Sequence, residues 1–397
     1  MKILVVCQHY WPEPFPLTNI CEELVKLGND VHVITDIPNY PMGEVYPGYE
    51  NHMHRIEEHN GVKITRAYTI PRKHNIFFRF LNYYSYSIFS TNYAKKLKDD
   101  YDVVFTNQTS PIMMTRAAFA YARKHSKKVV LYCMDLWPAS LAAGGIKENS
   151  IIYTHYKKVS GDLYRKADRV LITSQMFKGY LMNIHQVEES RICYLPQYAE
   201  SRFDNIKQKE KNNDTFDFVF AGNIGVAQSI KTIIKAAEIL KNDNRIYWHI
   251  IGDGSELENI KLMAADLRLS NVIFYGRKPI EDMPKYYELA DAMLVTLTKD
   301  PFISLTLPGK VQTYMAAGKP IIGAALGEIP RVISDAHCGY CAHAEDSKGL
   351  ADAVQSFIKC QNRSELGKNA KEFYDNHFSK QKFMSSLLNE LETYCQK

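Results

Sequence analysis

The residues best suited to chemistry in this chain stand where glycine-containing turns follow short apolar, β-branched runs. In Phe220-Ala221-Gly222-Asn223-Ile224-Gly225-Val226-Ala227-Gln228-Ser229, the residues Gly222, Asn223, Gly225 and Gln228 lie between a strand and a helix. Free backbone N–H groups and the positive end of the helix dipole favour a phosphate there, while glycines also serve a tight turn on geometry alone. Gly252-Asp253-Gly254 repeats the arrangement, and Gly276-Arg277-Lys278 adds two cations that either meet a diphosphate or are solvated. The most specific turn is Leu305-Thr306-Leu307-Pro308-Gly309-Lys310-Val311-Gln312-Thr313. Its Pro-Gly pair opens a helix with Lys310 near the start, and Gly318-Lys319-Pro320 stops that helix before the next strand. Pro308, Gly309, Lys310 and Thr313 thus outline an anion site, the alternative being Lys310 on an exposed surface.

Proton transfer has fewer candidates. Asp135 directly follows an apolar run and precedes Leu136-Trp137-Pro138, so a carboxylate stands beside an aromatic face. Asp135 either orients or deprotonates a hydroxyl, or caps the turn that follows. His9, just past the first apolar run, is the second candidate, although a lone histidine is more often a hydrogen-bonded structural residue. His337-Cys338-Gly339-Tyr340-Cys341-Ala342-His343 gathers two Cys and two His, but on a strand alternate side chains face opposite sides, which spoils a tetrahedral metal site. No metal is expected. The remaining cysteines are dispersed, mostly in apolar segments where a thiol is a small hydrophobe.

The elements that must position these residues read as parallel strands alternating with helices. Strands are expected near residues 3–7, 31–35, 62–67, 103–106, 129–133, 170–173 and 192–195. A second series is expected near 216–221, 248–251, 272–275, 293–297, 321–323 and 339–342. The runs are continuous rather than alternating, as strands covered on both faces should be. Ile230, Ile233, Ile234, Ala237 and Leu240 form one helical stripe, with Ser229 as N-cap. The fold class is therefore α/β, with two doubly wound parallel sheets. One domain is expected over 1–199, a polar linker over 200–215, a second domain over 216–375, and a C-terminal helix over 376–397 that packs on either domain.

Composition agrees with this and excludes other classes. The 397 residues suit two domains, and 46% hydrophobic with 23% charged residues excludes disorder and disulfide scaffolds. Lys and Arg number 49 against 44 Asp and Glu, an excess of +5 that does not demand nucleic acid and is compatible with an anionic ligand or membrane surface. No apolar run approaches the length of a membrane span and no secretory signal opens the chain, so a cytoplasmic location is expected. Read as a helix, residues 72–89 are apolar over most of the circumference, with Arg79, Asn82 and Tyr86 in a narrow polar stripe. With Arg72 and Lys73 alongside, the segment either inserts shallowly into a membrane or is buried within the domain.

Read in order, these motifs resemble the bacterial glycosyltransferases of family 4. The residues are Ile3-Leu4-Val5-Val6 with Tyr10-Trp11-Pro12-Glu13, then Leu27-Gly28-Asn29-Asp30-Val31-His32-Val33-Ile34-Thr35 and Asp135-Leu136-Trp137-Pro138. Ala221-Gly222-Asn223-Ile224-Gly225, Gly252-Asp253-Gly254 and Tyr314-Met315-Ala316-Ala317-Gly318-Lys319-Pro320 continue the series, which runs along nearly the whole chain. Pro38-Asn39-Tyr40-Pro41-Met42-Gly43 and Pro71-Arg72-Lys73 are similar to transferases of O-antigen and capsule assembly, including N-acetyl-fucosamine-transferase-like proteins. The resemblance implies the GT-B fold, two Rossmann-like domains facing a cleft. It implies a nucleotide-sugar donor, with UDP the expected nucleotide, on the C-terminal domain, and an acceptor on the N-terminal one. It further implies transfer of a hexose or amino sugar with retention, and no metal or other cofactor. A leaving diphosphate can be neutralised by amides, a helix N-terminus and basic side chains, and same-face attack lets the leaving phosphate take the acceptor proton. The acceptors of this branch are commonly sugars on a polyprenyl diphosphate, which implies peripheral association with the inner face of the cell membrane.

The chain also departs from the family pattern. Where many members have two glutamates eight positions apart, it has Leu305 and Thr313. Where they place an Arg and a Lys after the first glycine turn, it has Asn223 and Gln228. Lys310, Arg277 and Lys278 are the expected substitutes, Lys310 first. A glycine pair usual in the N-terminal loop is replaced within Phe15-Pro16-Leu17-Thr18-Asn19, so Thr18 and Asn19 either donate hydrogen bonds there or cap the next helix. Thr18, Asn19, Arg72, Lys73 and Trp137 are the expected acceptor-side contacts. A nucleotide-sugar 2-epimerase of the same architecture and a non-catalytic nucleotide-sugar-binding protein are the alternatives.

Overall fold

The computed structural model describes residues 1–50, 53–73, 76–204, 206–208 and 215–395. Two compact units emerge from it, Met1–Leu195 with Met384–Lys397, and Pro196–Phe383. The division after Leu195 precedes the expected 200–215 linker, of which residues 205 and 209–214 lie outside the described residues.

In the N-terminal unit the chain runs β1 (Lys2–Val6), α1 (Leu17–Lys26), β2 (Asp30–Thr35), β3 (Ile56–His59), β4 (Val62–Arg66), α2 (Ile76–Lys96) and β5 (Val103–Gln108). It continues through α3 (Arg116–His125), β6 (Val129–Cys133), α4 (Ala139–Ala143), α5 (Ile151–Lys166), β7 (Arg169–Ile172), α6 (Met176–His185) and β8 (Ile192–Tyr194). The strands form one sheet in the order β3-β4-β2-β1-β5-β6-β7-β8, parallel throughout except that β3 pairs antiparallel with β4. Ile3 to Val6 are wholly buried, which is why β1 carries no polar alternation. One face of the sheet packs Leu4, Val6, Ile34 and Val104 against Ala94 of α2 and Ala117, Ala118 and Tyr121 of α3.

The inner face of α2 corrects the sequence reading of that helix. Two residues of its polar stripe, Asn82 and Tyr86, point into the protein, while the third, Arg79, is exposed. Asn82 and Tyr86 are fully buried, with Asn82 Nδ2 donating to Ile70 O at 2.8 Å and Tyr86 Oη donating to Cys7 O at 2.5 Å. Backbone carbonyls at the strand ends need donors, and these side chains supply them. The apolar Phe77 and Ile88 face outward instead, 61% and 52% exposed.

The C-terminal unit runs β9 (Phe216–Ala221), α7 (Ile230–Ile239), β10 (Ile246–Ile251), α8 (Leu257–Asp266), β11 (Val272–Gly276), α9 (Met283–Leu289) and β12 (Ala292–Thr296). It ends with α10 (Gly309–Ala316), β13 (Ile321–Ala324), α11 (Glu328–Asp335), β14 (Gly339–Ala342), α12 (Ser347–Lys359) and α13 (Arg363–His377). The sheet is parallel, in the order β11-β10-β9-β12-β13-β14. The α7 stripe of Ile230, Ile233, Ile234 and Ala237 packs on Phe218, Phe220 and Trp248 in one core. Ser229 stands at the N-cap position of α7 but with φ 43°, and its hydroxyl bonds that of Thr232 at 2.9 Å instead of a helix amide. A last helix, α14 (Lys380–Cys395), passes the division at Phe383, and its Glu390 accepts two hydrogen bonds, at 2.7 and 2.8 Å, from Arg169 of β7.

Candidate functional site

Ligands of open α/β sheets bind beyond the carboxyl ends of strands, where the order of connections reverses. In the C-terminal unit that point lies beside β9, between β10 and β12. The turns after β9 and β10 interlock there. Gly222 N–H donates to Ile251 O at 3.0 Å and Ile224 N–H to Asp253 O at 2.8 Å. A Cβ on Gly252 would fall 1.8 Å from Gly222 O, and one on Gly254 2.4 Å from Ile224 O. The expected donor contacts Gly252 and Gly254 therefore owe their glycines to this backbone approach. Gly276 supports it, its carbonyl accepting from Gly252 N–H at 3.0 Å.

Helix α10 brings Lys310 to the same edge. Four residues along, Tyr314 Oη donates to Ala221 O at 3.1 Å and accepts from Ala221 N–H at 3.3 Å, tying the helix to the end of β9. A Cβ on Gly222 would lie 2.7 Å from Lys310 Nζ, so the amine occupies the space that glycine leaves. Nζ also sits 3.9 Å from the centre of the Phe220 ring, is shielded from solvent and has no hydrogen-bond partner among the described residues. Burial with no counter-charge lowers its pKa to about 7. Pro308 provides no side-chain cap, which leaves the first α10 amides, those of Gly309 and Lys310, without a capping acceptor. An ammonium without a partner beside an uncapped helix N-terminus is an arrangement that an anion completes.

The other expected donor residues are less directly placed. Asn223 Nδ2 and Gly225 N–H both donate to Gln228 Oε1, at 3.1 and 3.2 Å, so this pair braces the turn. Arg277, exposed, and Lys278, half-buried, follow β11 at the same end of the sheet, and neither is ion-paired among the described residues. Thr313 Oγ1 donates to Gly309 O at 3.0 Å, and Leu305 closes a short 3-10 turn. A cavity of about 410 Å³ opens at the other end of the sheet, lined by Phe216, Asp291 and Pro320, and takes no part in this site.

In the N-terminal unit the reversal lies between β1 and β5. His9, after β1, is buried, its ring stacked on Phe15 at 5.0 Å and its Nδ1 2.9 Å from Glu13 Oε2. Glu13 Oε1 accepts from the amides of Asn39 at 2.7 Å and Tyr40 at 2.6 Å. Asp36, after β2, places Oδ1 4.0 Å from His9 Nδ1, and that oxygen is buried without a hydrogen-bond partner among the described residues. Burial and the neighbouring Glu13 charge hold the Asp36 carboxyl well above the usual carboxylate range. Glu13 and Asp36 are functional candidates that the sequence reading passed over. The position of Asp36 directly after a strand was the available signal.

Asp135, after β6, accepts from Ser110 Oγ, and burial raises its pKa, with the Ser110 bond opposing. Pro138 is the N-cap of α4, while the Asp135 carboxylate is also hydrogen-bonded by the Leu136 backbone and the Ser140 side chain in the turn that follows. Trp137 corrects its expected role as a sugar platform. It is 2% exposed, edge-on to Tyr156 at 5.1 Å, with Nε1 donating to Ser110 Oγ at 2.7 Å. Its apolar body fills the core and its one polar atom is satisfied there. Thr18 and Asn19 lie inside the first turn of α1, whose N-cap is Pro16 and makes no side-chain bond, so neither is the cap. Thr18 Oγ1 is buried and unpartnered among the described residues, while Asn19 is exposed. Arg72 stacks its guanidinium on Tyr40 at 5.6 Å, and Lys73 Nζ lies 4.6 Å from the Phe78 ring centre.

Among the described residues one group could hold a metal ion, His9, Glu13 and Asp36, whose donor atoms lie within 4.8 Å of one another. No helix among the described residues is long and apolar enough to cross a membrane.

Two family models match the chain, "Glycosyltransferase Family 4" over residues 17–197 and "Glycosyl transferases group 1" over residues 201–373. WbjE of Pseudomonas aeruginosa, named as a glycosyltransferase, is 27% identical over 274 residues, covering 65% of this chain and 66% of that protein. WcaI of Escherichia coli K12, named for glycosyl transfer in colanic acid biosynthesis, is 22% identical over 98% of this chain and 100% of its own. The structure of Anabaena Alr3699/HepE in complex with UDP superposes with a TM-score of 0.72 at 14% identity, covering 99% and 100% of the two chains. With two parallel α/β units of this kind and both halves matched, the chain belongs to the family 4 glycosyltransferases and has the GT-B fold.

Proposed function

We propose that this glycosyltransferase moves a hexose or amino sugar from a UDP donor to a lipid-linked saccharide in the synthesis of a surface polysaccharide such as O-antigen, capsule or exopolysaccharide. The observation that carries the reading is Lys310, a buried amine with no counter-charge beside the open amides of α10. A diphosphate supplies the missing charge. As the glycosidic bond to phosphate breaks, negative charge grows on the departing oxygens, and Lys310 with the α10 amides stabilises it from fixed positions. Arg277 and Lys278 add positive charge at the same strand ends. The anomeric configuration is retained, and neither a metal nor another cofactor takes part. His9 and Asp135, at strand ends of the N-terminal unit, are the side chains suited to receive the proton of the attacking hydroxyl, alongside the leaving phosphate itself. The UDP and UDP-glucose named with the HepE structures, and colanic acid named with WcaI, support the choice of donor and pathway class.

The acceptor's lipid anchor is matched by the outward Phe77 and Ile88 of α2, with Arg79 and Lys73 exposed nearby in sequence. Such a face suits shallow insertion at the inner leaflet.

UDP release decides the reading. It is expected only when a polyprenyl-diphosphate-linked saccharide accompanies the sugar nucleotide, and EDTA should leave it unchanged. Loss of turnover in EDTA with rescue by magnesium or manganese would overturn the metal-free mechanism. The His9, Glu13 and Asp36 cluster also fits the acid–base needs of a 2-epimerase, which would alter the sugar without releasing UDP.

A further inference from the structure

The pair His9 and Glu13 goes unexplained by the need for a fold. Both are buried, at 6% and 3% exposure, and a buried ionisable pair costs more to bury than an apolar pair of the same size. Its geometry is nonetheless fixed from every side. Glu13 Oε1 is held by the two amides of Asn39 and Tyr40, which leaves Oε2 for His9. An ionised carboxylate only accepts, so at 2.9 Å the His9 Nδ1 carries the proton. The imidazole is wedged between Phe15 and Tyr40, with ring centres at 5.0 and 5.3 Å, and its Nε2 makes no hydrogen bond among the described residues. In a neutral imidazole with Nδ1–H, Nε2 is the acceptor.

We propose that Glu13 is the positioning residue of the proton acceptor, holding His9 with Nδ1–H turned inward so that Nε2 offers its lone pair to the attacking hydroxyl. This rests on the transferase reading above. In the step, the hydroxyl proton passes to Nε2 while the hydroxyl oxygen bonds to the anomeric carbon. The bond from that carbon to the diphosphate breaks, its electron pair leaving with the diphosphate. The imidazolium, stabilised by Glu13, then returns its proton to water or to the released diphosphate. The ionisable groups around the pair are Asp36 from the end of β2 and Cys7 just after β1, with Tyr86 of α2 donating to Cys7 O and Arg66 of β4, paired with Glu57 of β3, donating to Asp36 O. Burial and the Glu13 charge push the Asp36 carboxyl toward its neutral form. Arg66 is engaged by Glu57 and by the carbonyls of Asp36 and Trp11, so it does not neutralise Glu13.

The test is Glu13→Gln in the full chain. Gln keeps an oxygen for the Asn39 and Tyr40 amides but presents an N–H to His9, which should move the imidazole proton to Nε2. Side-chain nitrogen NMR of selectively labelled histidine, assigned with His9→Gln, is expected to find the neutral Nδ1–H form in the wild type and the Nε2–H form in Glu13→Gln. Turnover, read as UDP release, should fall by about 10²- to 10⁴-fold in either variant. The double variant should lose no more, and titration with UDP should give unchanged affinity in all of them. Thermal melts check that each variant is folded, and His9→Gln, which leaves the Glu13 anchor to the amides intact, serves if Glu13→Gln is not. An Nε2–H wild type, a tautomer unmoved in Glu13→Gln, or unchanged turnover in both variants would overturn the proposal. So would stoichiometric zinc or manganese in the purified chain that Asp36→Asn removes, since the three groups would then be metal ligands. If the wild type releases no UDP with any sugar nucleotide and lipid-linked acceptor, the transferase reading fails on its own, and the tautomer comparison still decides the pairing of Glu13 with His9.

Discussion

Lys310 allows the sharpest quantitative prediction, because its amine is charged when an anion is bound and only half charged when the site is empty at neutral pH. Its pKa drops from 10.5 to about 7 on burial, which at about 1.4 kcal/mol per unit makes the charged form cost about 5 kcal/mol in the empty site. The unfolded chain binds more protons than the folded one between those two values, so the stability of the empty protein should rise with pH across that window. A bound diphosphate restores the charged form, so binding above pH 7 takes up a proton. For UDP this predicts uptake of about 0.9 proton at pH 8, and a dissociation constant rising about 50-fold between pH 7 and pH 9. Isothermal titration in buffers of different ionisation enthalpy measures both. Lys310→Met should abolish the uptake and weaken UDP about 10- to 100-fold at pH 7, the worth of a charged hydrogen bond. It should also raise the melting temperature of the empty protein at or below pH 7, where the buried charge costs most. Affinity that stays flat from pH 7 to 9 with no proton uptake, or a slope that survives in Lys310→Met, would refute the reasoning.

Other substitutions probe the scaffold around the sites. Gly252→Ala must clear a 1.8 Å approach to Gly222 O and should cost about 3 kcal/mol or more in urea unfolding. A loss under about 1 kcal/mol would mean the two turns part easily. Trp137→Ala should lower stability by about 3 to 5 kcal/mol as a core truncation, whereas a sugar platform would show mainly as a raised KM for the acceptor. Phe77→Ser with Ile88→Ser should reduce co-sedimentation with anionic vesicles about tenfold or more while leaving the melting temperature nearly unchanged, and equal sedimentation would remove α2 as the membrane face.

The parallel core was readable because its strands are covered on both sides, so Ile3 to Val6 or Phe218 to Ala221 appear as unbroken apolar runs. The edge strand β3 escaped, since Ile56–His59 is mostly polar and half-exposed. Its signal was the Asn60-Gly61 pair, which takes φ of 49° and 79° in a hairpin turn. Lys310 was legible as a cation in the first turn of a helix, but not that its amine would be buried over Phe220, because only the fold brings β9 beneath α10. Glu13 and Asp36 were unreadable as a pair for the same reason. They meet only once β1 and β2 lie in parallel register, Val6 opposite Ile34, which carries the residues beyond each strand to one place. Trp137 misled because an aromatic after a strand looks the same in sequence whether it turns outward or inward.

The inward Asn82 and Tyr86 of α2 have a consequence for how this enzyme can diverge. Over 21 residues, one side of a single helix answers to folding and the other to whatever lies outside. Asn82 and Tyr86 are committed to carbonyls within the unit, so mutation there is constrained. Positions such as 77 and 88 are free of that obligation. The outer surface of α2 can therefore change across descendants of this chain, one residue at a time, with the architecture of the active centre untouched.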